Sequence, residues 1–185
     1  MAAQTFASIA FTPAVKALQE EAGSRSGYAR MEETPAGSLG PREWAFLAER
    51  DSFYMASVGE TGWPYVQHRG GPAGFLRVVD GNTIGFADFR GNKQYVSTGN
   101  LMKDDRVSLI LMDYPNRQRL KLLGHVRFVD AGDPVTLEKL VLPDYRAKVE
   151  RGVLIDVAAF DWNCPQHITP RYTAAEIEAI ADRAR

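Results

Sequence analysis

The sequence predicts a mainly β domain with peripheral helices, an antiparallel barrel rather than a doubly wound sheet. Seven short β-type runs carry this reading, with tight turns between most of them and no helix between any of the first four. A parallel sheet needs a crossover helix between nearly every pair of strands. The runs fall at residues 53–58, 63–68, 75–79, 83–87, 106–112, 118–128 and 153–160.

Each run has a local reason. Gly59-Glu60-Thr61-Gly62 separates the first two, and Asp80-Gly81 is a strong turn signal between the third and fourth. The fifth is near-continuously apolar at Val107, Leu109, Ile110, Leu111 and Met112, as a buried strand should be. The sixth alternates, with Leu120, Leu122, Val126 and Phe128 on one face and Arg119, Lys121, His125 and Arg127 on the other.

Helices are expected at the periphery. Thr12-Pro13 reads as an N-cap and first helical residue, and Pro41 starts another helix with Trp44, Phe46 and Leu47 on its buried side. Residues 133–150 read as helix, interrupted or kinked at Pro143. Thr173-Ala174-Ala175-Glu176 is a capping box before a C-terminal helix. The stretches 23–27 and 34–38 read as loop. Residues 1–40 form an arm, too poor in apolar residues for a core of their own, and residues 41–185 form the domain.

Composition excludes several classes. The 185 residues are 45% hydrophobic and 24% charged with a formal net charge of −1, so no long-range attraction to nucleic acid or anionic membrane is expected. A single cysteine, Cys164, rules out an intramolecular disulfide framework and fits a reducing compartment. No apolar run approaches the roughly 20 residues of a membrane span, and no basic stretch followed by an apolar one opens the chain. Cytoplasmic localisation is the expectation.

Four stretches carry candidate chemistry. Gln67-His68-Arg69-Gly70-Gly71 ends a strand with an arginine suited to phosphate and two glycines that admit a close backbone approach; a wide loop with a solvated arginine is the competing reading. Gly91-Asn92-Lys93-Gln94-Tyr95 reads as a turn opening a helix, where unpaired N–H groups and Lys93 suit a phosphate; a capped helix with an exposed lysine competes. It is not a Walker loop. Arg119 and Lys121 project from one strand face, which by itself is an ordinary solvated row. In Asp161-Trp162-Asn163-Cys164-Pro165-Gln166-His167, a planar ligand stacks on Trp162 while Asn163 or Gln166 meets its polar edge, or Trp162 is a buried loop residue. Cys164 is either a small buried residue or a thiol near that ligand. His68, His125 and His167 show no metal-ligand spacing, and no G-x-S-x-G elbow is present.

In order and spacing, Trp63-Pro64-Tyr65-Val66-Gln67-His68-Arg69-Gly70-Gly71-Pro72, Phe86-Ala87-Asp88-Phe89-Arg90-Gly91-Asn92-Lys93-Gln94-Tyr95, Leu111-Met112-Asp113-Tyr114-Pro115 with Arg119-Leu120-Lys121, and the 161–167 stretch resemble pyridoxamine 5′-phosphate oxidase-related FMN-binding proteins. The likeness covers roughly residues 42–172 and is nearest to the branch described as predicted flavin-nucleotide-binding proteins. The resemblance implies an FMN-binding split β-barrel that works as a homodimer with FMN at the subunit interface. It implies Arg69 and Lys93 on the phosphate, with Asn92 and Gln94 beside it. His68, Arg69 and Gly70, with Ala87, Asp88 and Phe89, are expected along the isoalloxazine. Arg119 is expected from the facing protomer, where its charge would stabilise the anionic reduced flavin, and Trp162 and Gln166 are expected to close the pocket.

The C-terminal Trp-Gly-Gly…Arg pattern of the true oxidases is absent, so vitamin B6 oxidation is not implied, while FMN binding is. Three readings follow: an FMN-dependent oxidoreductase acting on a small molecule with NADH or NADPH as a donor to test, an FMN carrier or sensor without turnover, and a sibling split barrel using haem or a deazaflavin.

Overall fold

The computed structural model describes residues 4–33, 37–162 and 164–183. Four helices come first: α1 (Phe6–Ala10), α2 (Pro13–Glu21), α3 (Arg25–Glu33) and α4 (Pro41–Ala48). The strands are β1 (Ser52–Val58), β2 (Pro64–Gly70), β3 (Arg77–Asp80), β4 (Thr83–Phe89), β5 (Arg106–Asp113), β6 (Gln118–Val129) and β7 (Val149–Trp162). Helix α5 (Val96–Leu101) follows β4, α6 (Pro134–Leu140) precedes β7, and α7 (Ala174–Arg183) ends the chain.

All seven strands form one antiparallel sheet in the order β2-β1-β5-β6-β7-β4-β3. The sheet curls until its two ends face each other. Phe53 of β1 packs edge-on against Phe86 of β4 at 5.4 Å and stacks on Phe75 at 5.7 Å. Among the described residues no ladder joins β2 to β3 or β4, so the barrel is split there. Leu47, Met55, Ile84, Leu109, Leu111, Leu120, Leu122 and Ile155 fill the interior with those rings.

The alternation expected for the sixth strand holds in β6: Leu120, Leu122 and Val126 are buried while His125 is exposed. The slip from Leu123↔Ala159 to Gly124↔Val157 in the β6–β7 ladder marks a bulge.

Three local expectations are corrected. Residues 25–27 belong to α3, because Phe11 meets Tyr28 edge-on at 5.6 Å and Glu32 accepts from Lys16 Nζ at 2.5 Å and from Arg25. Residues 34–36 lie outside the described residues. On α4 it is Glu43 rather than Trp44 that is buried beside Phe46 and Leu47. Glu43 Oε2 accepts the Gly40 N–H at 2.9 Å and Oε1 accepts Trp162 Nε1 at 2.7 Å. The helix expected over 133–150 is only α6; the chain has left helical geometry before Pro143, and β7 begins at Val149. The C-terminal capping box forms as expected: the Glu176 N–H donates to Thr173 Oγ1, and the Thr173 N–H donates to Glu176 Oε2.

Two predictions follow from these contacts. Glu43→Ala leaves a half-buried indole N–H and a helix start unmatched, and should lower the unfolding free energy by about 1–3 kcal/mol in denaturant titration. The hydrogen bonds from Lys16 and Arg25 hold the Glu32 carboxyl below its usual range. Its contribution is therefore present above the ordinary carboxylate pKa and is lost as pH falls through the depressed value. Amide exchange in α2 and α3 should quicken over that acid range, and Glu32→Gln should quicken it already at neutral pH.

Candidate functional site

The split is where the chemistry gathers. In β2, residues Tyr65, Gln67 and Arg69 are part-buried while Pro64, Val66, His68 and Gly70 are exposed, so strand parity turns one set toward the gap and the other outward. On β4, Phe86 continues the apolar core and Asp88, two residues on, is the next side chain on that face. Asp88 Oδ1 accepts Arg69 Nη1 at 2.7 Å, an ion pair that spans the gap. Gln67 Oε1 accepts Ser97 Oγ from α5 at 2.6 Å, a second link from β2.

The Arg69–Asp88 pair separates two small cavities of about 160 Å³ each. One runs along His68, Arg69, Gly70, Phe75 and Phe86–Phe89. The other is polar, lined by Tyr65, Gln67, Arg69, Asp88, Asn92, Lys93, Gln94, Tyr95, Ser97, Thr98 and Glu150 among others. Two broader hollows lie elsewhere, one of about 590 Å³ beside Trp44 and β3, and one of about 500 Å³ around Arg50, Asp113 and Tyr114. In the second, burial and then the neighbouring Tyr54 push the Tyr114 phenol above its ordinary value. Neither gathers the candidate ligands.

Nine of the twelve expected site residues meet at the split: His68, Arg69, Gly70, Ala87, Asp88, Phe89, Asn92, Lys93 and Gln94. Three do not line these cavities in the single chain. Arg119 sits on β6 opposite Met112, with its Nε buried and unmatched. The Trp162 ring is engaged by Glu43, by Phe46 edge-on at 4.8 Å and by Arg42 at 4.1 Å. Gln166 is exposed in a turn after β7, Cys164 is exposed, and Asn163 lies outside the described residues.

The loop at 91–95 differs from the expected helix start. Helix α5 begins only at Val96, so Lys93 precedes it by three residues and has no helical N-terminus behind it. Lys93 and Tyr95 instead take left-handed backbone, with φ of 62° and 52°. Asn92 Oδ1 accepts the Gln94 N–H at 3.2 Å, closing a side-chain turn that lifts Lys93 beside the cavity. The glycine pair after Arg69 also works differently: a Cβ on Gly71 would lie 2.9 Å from Phe75 Cβ, and its N–H donates to the Asp51 carbonyl. Gly71 makes room for the Phe75 ring rather than for a ligand.

Sequence reasoning missed Arg151 and Glu150. Arg151 stands opposite Asp88 in the β4–β7 ladder, with Nε 3.6 Å from Asp88 Oδ2. Glu150 Oε1 accepts Tyr95 Oη at 3.3 Å. Only the pairing of strands sixty residues apart brings them here. Tyr65 and Gln67 were within reach of strand parity counted back from Arg69.

An antiparallel split barrel with a charged mouth defines the class. A family model described as pyridoxamine 5′-phosphate oxidase matches residues 41–154, and the chain belongs to that family. Among solved structures, the tagged HupZ protein of Group A Streptococcus is similar at 14% identity over 72% of this chain and 100% of that one, with a TM-score of 0.54. A conserved hypothetical protein of Mycobacterium tuberculosis is similar at 17% identity over 74% of this chain and 92% of that one, with a TM-score of 0.51. Such identities speak for the fold. No match to a curated protein was found.

The left-handed loop gives a stability test. An L side chain in that region costs about 1–2 kcal/mol, a cost glycine escapes. Lys93→Gly should therefore unfold about 1 kcal/mol later than Lys93→Ala, although both lose the ammonium.

Proposed function

We propose that the chain is an FMN-binding flavoprotein, an oxidoreductase acting on a small molecule. The observation that supports this most is the pair of adjoining cavities at the split. One is a polar recess with Lys93, Asn92 and Gln94, and the other a slot along strand ends, with Arg69 at their boundary. A phosphate joined to a planar ring needs those two surroundings side by side.

The residues fit the group by an independent criterion. Arg69, which lines both cavities, carries a buried Nε without an acceptor, a cost that an added anion with several oxygens relieves. Lys93 and Arg69 would hold the phosphate, while Ala87, Asp88 and Phe89 flank the ring with His68 and Gly70. Hydride and electron transfer belong to the flavin when it is bound; the chain binds, orients and shields it.

Assembly as a homodimer is part of the proposal. Tyr54, Val58, Trp63 and Val66 leave an apolar surface exposed on and beside β1 and β2, with Trp63 at 77% and Val66 at 61%. A contiguous surface of this kind on a sheet pair calls for a partner. In such a dimer Arg119 would meet the flavin of the facing protomer, and Trp162 and Gln166 would belong to the rim. Among the described residues no helix is long and apolar enough to cross a membrane.

The test is a flavin titration followed by visible absorption and fluorescence. Saturable FMN binding by a dimer in sedimentation is expected, and a protein that takes up no FMN ends this reading. Lys93→Ala and Arg69→Ala should each weaken FMN by about 1.5–3 kcal/mol. Anaerobic reduction of the loaded protein by NADH or NADPH distinguishes an oxidoreductase from a flavin carrier.

A further inference from the structure

Three charged side chains meet at the mouth of the barrel, and one has the wrong sign for an anion site. The Asp88 carboxylate is 9% exposed, held by Arg69 on Oδ1 at 2.7 Å and faced by Arg151 Nε from Oδ2 at 3.6 Å. Arg69 and Asp88 line both cavities, so their bond stands between the two. Arg151 also lies 5.4 Å from the Tyr95 ring and 3.6 Å from Glu150, which brings it against the loop that carries Lys93.

We propose that Asp88 is an internal competitor for the anion site and sets its preference for phosphorylated over unphosphorylated ligands. Without ligand, Asp88 occupies the Arg69 guanidinium. A ligand phosphate displaces it, and Arg151 retains the carboxylate as Arg69 turns to the phosphate. This inference rests on the flavin reading above.

The argument is one of charge. Leaving one partner of a buried ion pair alone is expensive, so Arg69 cannot be freed unless both ions find new partners. Here they do: Arg69 gains the phosphate and Asp88 keeps Arg151, which already faces its second oxygen. The unmatched Nε of each arginine leaves a donor for the exchanged arrangement. Arg69 and Lys93 balance Asp88 and Glu150 in the lining of the polar recess, and Arg151, behind Asp88 and Glu150, leaves a surplus of a single positive charge for a phosphate carrying about −1.5 to −2. Removing the Asp88 charge doubles that surplus without touching a cation.

The probes are FMN and riboflavin, which differ by the phosphate alone. Each is titrated by fluorescence quenching into wild type, Asp88→Asn, Arg151→Met and the double variant at one ionic strength, with thermal melts to verify folding. Asp88→Asn should tighten FMN by about tenfold and leave riboflavin within about twofold, since the charge acts through the phosphate. Arg151→Met should weaken FMN by about tenfold by leaving Asp88 wholly to Arg69, and should lose that effect in the Asp88→Asn background. Arg151 is the more exposed of the two guanidinium groups, so its variant serves should Asp88→Asn not fold. An unchanged FMN-to-riboflavin ratio in Asp88→Asn overturns the role of Asp88 alone, as does an Arg151→Met effect that persists in the double variant. Binding of neither flavin by wild type or Asp88→Asn overturns the flavin reading and this role together.

Discussion

Arg69 and Asp88 meet at 2.7 Å across a gap that no backbone ladder crosses among the described residues, so a side-chain bond joins two ends of a sheet that strand pairing leaves apart. The gap follows from the strand order. With β2 at one end and β3 at the other, neither edge is paired among the described residues, and the space between β2 and β4 holds the two cavities. An ion pair is a weak way to close a barrel, because desolvation takes back much of the Coulombic gain. It is a good way to leave a barrel open to a ligand, because polar groups exchange partners more readily than a continuous ladder does.

Behind the ion pair the barrel is closed by apolar packing. Phe53, Phe75 and Phe86 pack ring on ring directly below it, and Gly71 is small because Phe75 fills the space its Cβ would need. Arg69 lies 5.8 Å from the Phe86 ring, so the guanidinium rests on the aromatic plug while its Nη1 donates to Asp88. Truncating such a ring typically costs about 3–5 kcal/mol. The charged mouth thus sits on a floor of packed aromatic rings.

Much of this was legible in the sequence because it is local. Asp80-Gly81 gave the β3–β4 hairpin, alternation gave the buried face of β6, and the Thr173…Glu176 spacing gave the start of α7. The helix expected over 133–150 stops at Leu140, and the burial of Glu43 in place of Trp44 depends on Trp162, 119 residues away, which no local pattern announces. The candidate site divides the same way. Its β2, β4 and loop residues lie in two short stretches, whereas Arg151 enters only through the β4–β7 register. The left-handed backbone at Lys93 and Tyr95 has no glycine to announce it.

Strand β2 carries two inheritances at once. Its odd-numbered residues, Tyr65, Gln67 and Arg69, turn their side chains to the cavity, and its even-numbered Val66 belongs to the outer apolar face. One residue gained or lost in the turn at 59–63 would exchange the two sets wholesale, putting valine in the cavity and arginine on the surface. Variation in this strand is therefore confined to replacement in place. The outer apolar face and the cavity wall can drift in chemistry, but only side by side, never by a shift in length.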